Sequence, residues 1–228
     1  MRRFEFLIAT SCEAPSIESL NELLLGKGNI KSYDHLNGLV IFETLQTAST
    51  VESILKKRFS KVKLVGQSSE SLIQAAGVAI IGGNKAKGIV RLLEDENGLN
   101  IEGTVSGLEK GSYSVSINEY GDISNACLST GNPVSKASEE TPCGILGQVE
   151  SDGSIDTKFS LNSGRLSIME CIGRSLVLQN ETKKIACGIV GRSPGVSENN
   201  KKICACDGTV IWEEQAFGPY AVEPPSET

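Results

Sequence analysis

"SYSVSIN", residues 112–118, alternates apolar and polar side chains. Tyr113, Val115 and Ile117 would face one side of a strand and the polar residues the other, because successive strand side chains point to opposite faces. The stretch LNIEGTV at 99–105 has the same alternation. Asn-Gly, Asp-Gly and Ser-Gly turn signals recur between short apolar runs, which is typical of an antiparallel sandwich or barrel. The sequence therefore predicts an all-β domain over residues 77–193.

The first 66 residues follow a different pattern. Strands are predicted at FEFLIA (4–9), NIKSYD (29–34), GLVIFE (38–43) and KVKLVG (61–66). A first helix follows Ser16, where apolar residues recur at helical spacing, and a second is expected to begin at Ser49, with Glu52 completing a capping box. The order βαββαβ predicts a ferredoxin-like domain over residues 1–66.

Two polar segments complete the chain. Residues 67–76 are rich in serine and are predicted to be a linker. Residues 194–228 contain too little apolar surface to order themselves alone, which predicts a flexible C-terminal tail. The expected fold class is therefore α+β multidomain, with a ferredoxin-like domain, an all-β domain and a tail.

Composition excludes several classes of function. The 228 residues carry a net charge of −6, and the longest basic block is the triplet at 56–58, so we expect no nucleic-acid partner. Glu5 interrupts the short apolar run near the start, so we expect neither a secretory leader nor a membrane span, and a cytoplasmic location. Seven cysteines in a reducing compartment are buried thiols, metal ligands or redox groups.

Histidine chemistry is nearly absent. His35 is the single histidine and lies in a predicted hairpin turn, so the β domain has no imidazole with which to hold catalytic zinc or copper. A serine or cysteine nucleophile would lack its usual base. Cys143 and Cys171 have no partner pattern and are predicted to be buried structural thiols. Cys127 in a loop and Cys187 on a strand could meet, but spacing does not decide it.

Cys204 and Cys206 form a CxC near the chain end. Thiolates are soft ligands that favour Cu(I), with Zn(II) or an iron–sulfur cluster as competitors. A disulfide between cysteines so close together would be strained and reactive, so the pair also suits thiol–disulfide exchange. The competing interpretation is that both are ordinary cysteines of a polar tail.

Several segments resemble known families. GLEKGSYSVSINEYGDISNACLSTG (107–131), CIGRSLVL (171–178) and KIACGIVGRSPG (184–195) resemble the Greek-key barrel of Cu,Zn superoxide dismutase. KKICACDGTVIWEE (201–214) resembles the last domain of the copper chaperones for superoxide dismutase, and the predicted βαββαβ unit is similar to their heavy-metal-associated first domain. The resemblance covers nearly the whole chain and implies Cu(I) as cargo, with Cys204 and Cys206 as its ligands and as the groups that exchange thiols.

The departures from the family pattern concern metal ligands. The positions of the dismutase histidines are read here as Ser116, Asn118 and Gln179, together with loop segments that also lack histidine. The resemblance therefore implies a barrel that is not itself a dismutase and binds no zinc. In the first domain the family motif MxCxxC keeps only its first cysteine, Cys12, which leaves it a weak candidate ligand.

The resemblance also implies an intrasubunit disulfide and a docking surface. The disulfide would join Cys127 and Cys187. The dimer surface of the dismutase barrel would fall on Tyr120, Gly121, Asp122, Ile172, Gly173, Arg174, Ile189 and Gly191. Such a surface implies a homodimer at rest that exchanges for a heterodimer with Cu,Zn superoxide dismutase.

Two hypotheses of function follow. In the first, the chain is a copper chaperone that docks on the dismutase, delivers Cu(I) and promotes the client's disulfide through the CxC. In the second, it is a metal-free, dismutase-like interaction protein that regulates dimerisation without delivering copper. The CxC favours the first hypothesis, because a binding module alone has no need of two exposed thiols. Whether the thiol exchange amounts to enzymatic activity stays open.

Overall fold

The computed structural model describes residues 1–9, 15–69, 76–136, 140–181 and 183–195. Its chain forms a four-stranded sheet with two helices, followed by an eight-stranded, nearly closed barrel. The predicted fold class is confirmed: a small α+β unit precedes an all-β barrel. Within the described residues, no helix is long and apolar enough to cross a membrane.

The N-terminal unit is a βαββαβ arrangement. Its elements are β1 (Arg2–Ala9), α1 (Ile17–Leu23), β2 (Asn29–Asp34), β3 (Leu39–Thr44), α2 (Ala48–Leu55) and β4 (Lys61–Ser69). The strands are all antiparallel, in the order β2-β3-β1-β4. Apolar side chains of the sheet and both helices form one core, with Phe4, Phe6, Leu20, Phe42, Val51 and Leu55 among its fully buried members.

The second helix begins one residue earlier than the sequence predicts. The Thr47 side chain, not that of Ser49, accepts a hydrogen bond from the backbone N–H of Thr50. Thr47 has the extended backbone that an N-cap requires, whereas Ser49 already lies in the first turn. The predicted capping box is therefore wrong, and Glu52 instead forms an ion pair with Lys56 one turn further along.

The barrel contains eight antiparallel strands. They are β5 (Ala76–Gly82), β6 (Lys87–Asp95), β7 (Gly98–Ser106), β8 (Gly111–Asn118), β9 (Ile145–Ser151), β10 (Asp156–Ser163), β11 (Ser175–Asn180) and β12 (Lys183–Arg192), with the short helix α3 (Ile168–Cys171) before β11. Their order is β10-β7-β6-β5-β12-β11-β8-β9. Consecutive strands β7 and β8 are not neighbours, nor are β10 and β11, so two connections cross the barrel ends in Greek-key fashion.

The alternation that predicted the barrel is visible in its core. Tyr113, Val115 and Ile117 on β8 are buried together with the inward side chains of β7. β4 continues to Ser69, three residues into the segment expected to be a linker, and β5 begins at Ala76. The predicted flexible tail, except for Pro194 and Gly195, lies outside the described residues.

The two units are in contact. The Arg2 guanidinium donates hydrogen bonds to the Asn100 side chain at 2.7 Å and to Glu102 at 3.4 Å, both on β7. Ala76 and Leu93 of the barrel are buried in the core of the N-terminal unit. The N-terminal sheet is therefore joined to the barrel by packing and by charge.

Candidate functional site

A disulfide lies just beneath the barrel surface. Cys127 and Cys187 are bonded with an S–S distance of 1.97 Å, and both are 4% exposed. Val177 on β11 packs against the pair. The bond joins the long loop after β8 to the last strand of the barrel, so it fixes the loop to the sheet.

The backbone around Cys127 has an unusual conformation. Asn125, Ala126 and Cys127 have φ values of 53°, 52° and 69°, three successive residues in the left-handed region. Left-handed backbone costs energy for a residue with a Cβ, least for asparagine, and it persists only where neighbouring contacts hold it. The Thr130 hydroxyl supplies one such contact, because it donates to the Cys127 carbonyl at 2.9 Å.

Ser116 and Asn118, at which the resemblance implies lost dismutase histidines, belong to a hydrogen-bonded network. The Ser116 hydroxyl donates to Asn118 Oδ1 at 2.8 Å, and both residues are buried. Asn118 Nδ2 donates to the Thr130 hydroxyl at 3.2 Å and to the Gly131 carbonyl at 2.9 Å. The side chains on β8 therefore bind the loop backbone directly.

Lys184 on β12 completes this network. Its Nζ donates to the Thr130 hydroxyl at 2.8 Å and to the Gly131 carbonyl at 2.7 Å. Burial lowers the pKa of this ammonium group from its ordinary value. We refer to Ser116, Asn118, Thr130, Gly131 and Lys184 as the Lys184 network. Two strands and the Cys127 loop are held together at this place by hydrogen bonds.

The Lys184 network does not fit copper or zinc. The Lys184 ammonium group and the Asn118 amide N–H groups occupy the Thr130 hydroxyl and the Gly131 carbonyl as donors. Copper and zinc instead need lone pairs, which imidazole and thiolate supply. Gln179 takes no part, because its side chain donates to the Glu181 carbonyl at 2.9 Å. Among the described residues no three His, Cys, Asp or Glu side chains are grouped so that they could hold a metal ion.

The residues predicted to form a docking surface meet on one face of the barrel. Gly121 packs against Gly173, and a Cβ at Gly121 would lie 2.2 Å from the Gly173 carbonyl oxygen and 3.7 Å from Ile189. The Gly173 N–H donates to the Val190 carbonyl at 2.9 Å. The loop after β8, the turn after α3 and β12 are thus brought together.

Arg174 connects the same three segments. Its Nε donates to the Glu170 carbonyl at 2.8 Å and its Nη1 to the Glu119 carbonyl at 2.7 Å. Tyr120, the residue after Glu119, is 59% exposed. Asp122 is also exposed, and hydrogen bonds from Ser124 lower the pKa of its carboxyl group. The remaining predicted members of the surface, Ile172 and Gly191, are partly exposed.

Three apolar side chains that the sequence did not single out lie at the same face. Ile80, Ile123 and Leu128 are 50%, 42% and 66% exposed, and Ile189 is 44% exposed. Together with Cys127 and Cys187 they line a broad open depression of about 1280 Å³, to which charged residues, among them Lys183 and Lys184, also contribute. We call it the apolar depression. The sequence carries no signal for Ile80, because Ile80 and Ile81 are successive isoleucines of β5 and only the structure shows that Ile81 faces the core.

The remaining cysteines fall into two groups. Cys143 and Cys171 are free and buried, as the sequence predicted, and burial raises the pKa of Cys171 to about 12, so its thiol is unreactive at neutral pH. Cys12, Cys204 and Cys206, the predicted copper ligands, lie outside the described residues.

Comparison with known proteins assigns the family. Residues 86–205 match the family model "Copper/zinc superoxide dismutase (SODC)". The copper chaperone for superoxide dismutase of Homo sapiens is 32% identical over 92% of this chain and 88% of its own length. The Rattus norvegicus protein of that name is 31% identical over 94% and 89%. An Arabidopsis thaliana relative, "Copper chaperone for superoxide dismutase, chloroplastic/cytosolic", is 33% identical over 92% and 69%. This chain therefore belongs to the family of copper chaperones for superoxide dismutase.

Proposed function

We propose that this protein docks on Cu,Zn superoxide dismutase, delivers Cu(I) to it and promotes its intrasubunit disulfide through Cys204 and Cys206. The apolar depression carries the docking part of this proposal, because it exposes large apolar side chains around a disulfide on a dismutase-type barrel. Exposed apolar patches of this kind mark interaction surfaces.

The shape of the surface supports a barrel as the partner. Gly121 lets the loop after β8 pack directly on the Gly173 carbonyl, 3.7 Å from Ile189 as measured from a Cβ built at Gly121. A dismutase barrel that pairs through its own copy of this surface would meet a similar surface here. The same geometry supports a resting homodimer that exchanges one subunit for the client.

Copper is the cargo in this scheme. Two thiolates hold Cu(I), and the ion leaves them for the client's imidazoles while the thiolates take up protons. Cys12 is a single thiol and would add at most a third ligand. The Lys184 network supports transfer of Cu(I) to the client. Its ammonium group is a hydrogen-bond donor without a free lone pair, so this barrel does not compete with the client for the ion.

The second chemical step is disulfide exchange. A client thiolate attacks one sulfur of the CxC in its disulfide form, the S–S bond breaks and a mixed disulfide forms. The client's second thiolate then displaces the CxC sulfur. The client's dithiol loses two electrons and two protons to the CxC, which becomes a dithiol. Before each exchange, dioxygen oxidises the CxC dithiol left after copper release to the disulfide and takes up the two electrons and two protons as hydrogen peroxide.

The decisive test is activation of a reduced, copper-free dismutase by the Cu(I)-loaded protein under a competing chelator. We expect the Cys204→Ser/Cys206→Ser variant to lose activation while it still forms the heterodimer. Cys12→Ser serves as the matched control and should keep most activity. If the double variant activates the client as well as the wild type does, the protein is instead a regulator of dimerisation.

A further inference from the structure

Two apolar residues of the barrel belong to the core of the N-terminal unit. Ala76 on β5 and Leu93 on β6 lie opposite each other on neighbouring strands and are 3% and 5% exposed. Both pack with the apolar side chains of the N-terminal unit, whereas Leu92, the residue before Leu93, packs in the core of the barrel. Successive side chains of a strand point to opposite faces, so β6 is buried on both faces at this point. The N-terminal unit covers the outer face.

Charged side chains lie beside this apolar contact. The Arg2 guanidinium on β1 donates to the Asn100 side chain, and it lies 3.6 Å from the Asp95 carboxylate and 3.4 Å from that of Glu102. The Ser49 N–H at the start of α2 also faces the Glu102 carboxyl. The side chains of Arg2, Asp95 and Glu102 are less than one-fifth exposed. Because charges so largely removed from water are screened little, these contacts hold the two units in one relative orientation.

Gln67 links the two units through its backbone and its side chain. It lies on β4 and is 2% exposed. Its N–H donates to the Pro194 carbonyl at 3.1 Å, and its Nε2 donates to the Leu92 carbonyl on β6 at 3.4 Å. The Ser193 N–H in turn donates to the Ala76 carbonyl at 3.1 Å. The buried amide groups of Gln67 thus have hydrogen-bond partners in the barrel and in the segment that follows it.

These contacts come from one end of the N-terminal unit. Arg2 lies at the start of β1, Ser49 in the first turn of α2 and Gln67 near the end of β4. Antiparallel pairing places the start of β1 beside the end of β4, where Arg2 lies opposite Ser69. Domains that move independently meet through polar surfaces. This end of the sheet instead combines a shared apolar core, largely buried ion pairs and a buried amide, as the interior of a single domain does.

We propose that the N-terminal unit has a structural function as a stabilising cover of the barrel, and that the two units fold and unfold as one cooperative domain. Separation would expose Ala76 and Leu93, and it would break the hydrogen bonds of Gln67 and the ion pairs of Arg2 in the same event. Contacts that break together make unfolding cooperative. This function requires neither copper nor a client, so it goes beyond the proposed chaperone function and does not depend on it.

Urea unfolding of the full-length, copper-free protein, followed through the NMR amide signals of each unit, tests this proposal. We expect the folded signals of β1 and β3 and those of β8 and β11 to disappear at the same urea midpoint. Val51→Ala, in the core of the N-terminal unit, should lower both midpoints equally, by at least about 0.5 M urea. Ser53→Ala, at an exposed position of the same helix, is the matched control and should shift them far less.

The barrel signals decide the outcome. Different midpoints for the two units of the wild type, or a wild-type midpoint for β8 and β11 in Val51→Ala, would show that the units unfold independently and that the proposal is wrong. If Val51→Ala fails to fold its N-terminal unit, loss of the folded barrel signals supports the proposal and their persistence contradicts it. No readout involves copper or a client, so failure here leaves the proposed chaperone function untouched, and failure of client activation leaves the cooperative domain untouched.

Discussion

The apolar depression and the Lys184 network both contact the loop that carries Cys127, and they are built in opposite ways. Around the depression, Ile80, Leu128 and Ile189 leave apolar surface exposed. In the network, buried polar atoms find partners within the chain. The first region offers apolar surface to the proposed partner, whereas the polar groups of the second already have hydrogen-bond partners within the chain. If the proposed docking is right, a barrel keeps a surface for recognition although none of its residues is a histidine.

The strongest way to break the comparison is a charge in the apolar depression. Ile189→Glu should weaken heterodimer formation at least about 100-fold, because a buried interface position would have to desolvate an unpaired carboxylate. Calorimetric titration of the dismutase measures the loss. Ile155→Glu, at an isoleucine that is 86% exposed in the turn between β9 and β10, is the matched control. Wild-type affinity in Ile189→Glu would show that the depression is not the docking site.

The second prediction concerns the Lys184 network, from which Lys184→Met removes the positive charge. Lys184→Met should lower the free energy of unfolding by about 1–3 kcal/mol, because the buried Thr130 hydroxyl and the Gly131 carbonyl each lose a hydrogen bond from a charged donor. Urea unfolding measures this effect, and Lys183→Met, at an exposed neighbouring lysine, is the control. Equal stability of the two variants would mean that the network does not hold the loop.

The smallest expected effect is a change in how steeply the free energy of unfolding depends on pH. Glu102 is a largely buried carboxyl group on β7, where the barrel contacts Arg2 of the N-terminal unit. Burial raises its pKa above 4.5, although the Ser49 N–H and the Arg2 and Arg91 guanidinium groups oppose the rise. Between pH 4.5 and the raised value, the folded state binds more protons than the unfolded state, so stability falls as pH rises through that window.

Glu102→Gln should remove this part of the pH dependence. Urea unfolding at a series of pH values from 4.5 upward would show a flatter profile for the variant than for the wild type. Glu109→Gln, at an exposed carboxyl on the same barrel, is the control. A profile for Glu102→Gln that matches the wild type would contradict the role given to burial at this contact.

The sequence predicted strands better than it predicted sites. Tyr113, Val115 and Ile117 revealed β8, because alternation along one strand is a local signal. The absence of histidine from the barrel is also plain in the sequence. The hydrogen bonds of Lys184 to the loop could not be predicted. Lys184 donates to Thr130 across 54 residues, and only the Greek-key connections bring such distant positions together. The exposure of Ile80 likewise depends on which face of β5 the barrel encloses.

The Pro194 carbonyl accepts a hydrogen bond from the Gln67 N–H of β4, which attaches the chain to the N-terminal sheet just before the CxC segment. Cys204 lies nine Cα-to-Cα steps after Gly195, and an extended chain covers at most about 3.5 Å per step, so the first thiol stays within roughly 30 Å of Gly195. A sulfur confined to so small a volume meets a docked client at an effective concentration in the millimolar range. In the proposed function, the length of this tether would limit which cysteines and histidines of a client the CxC can reach.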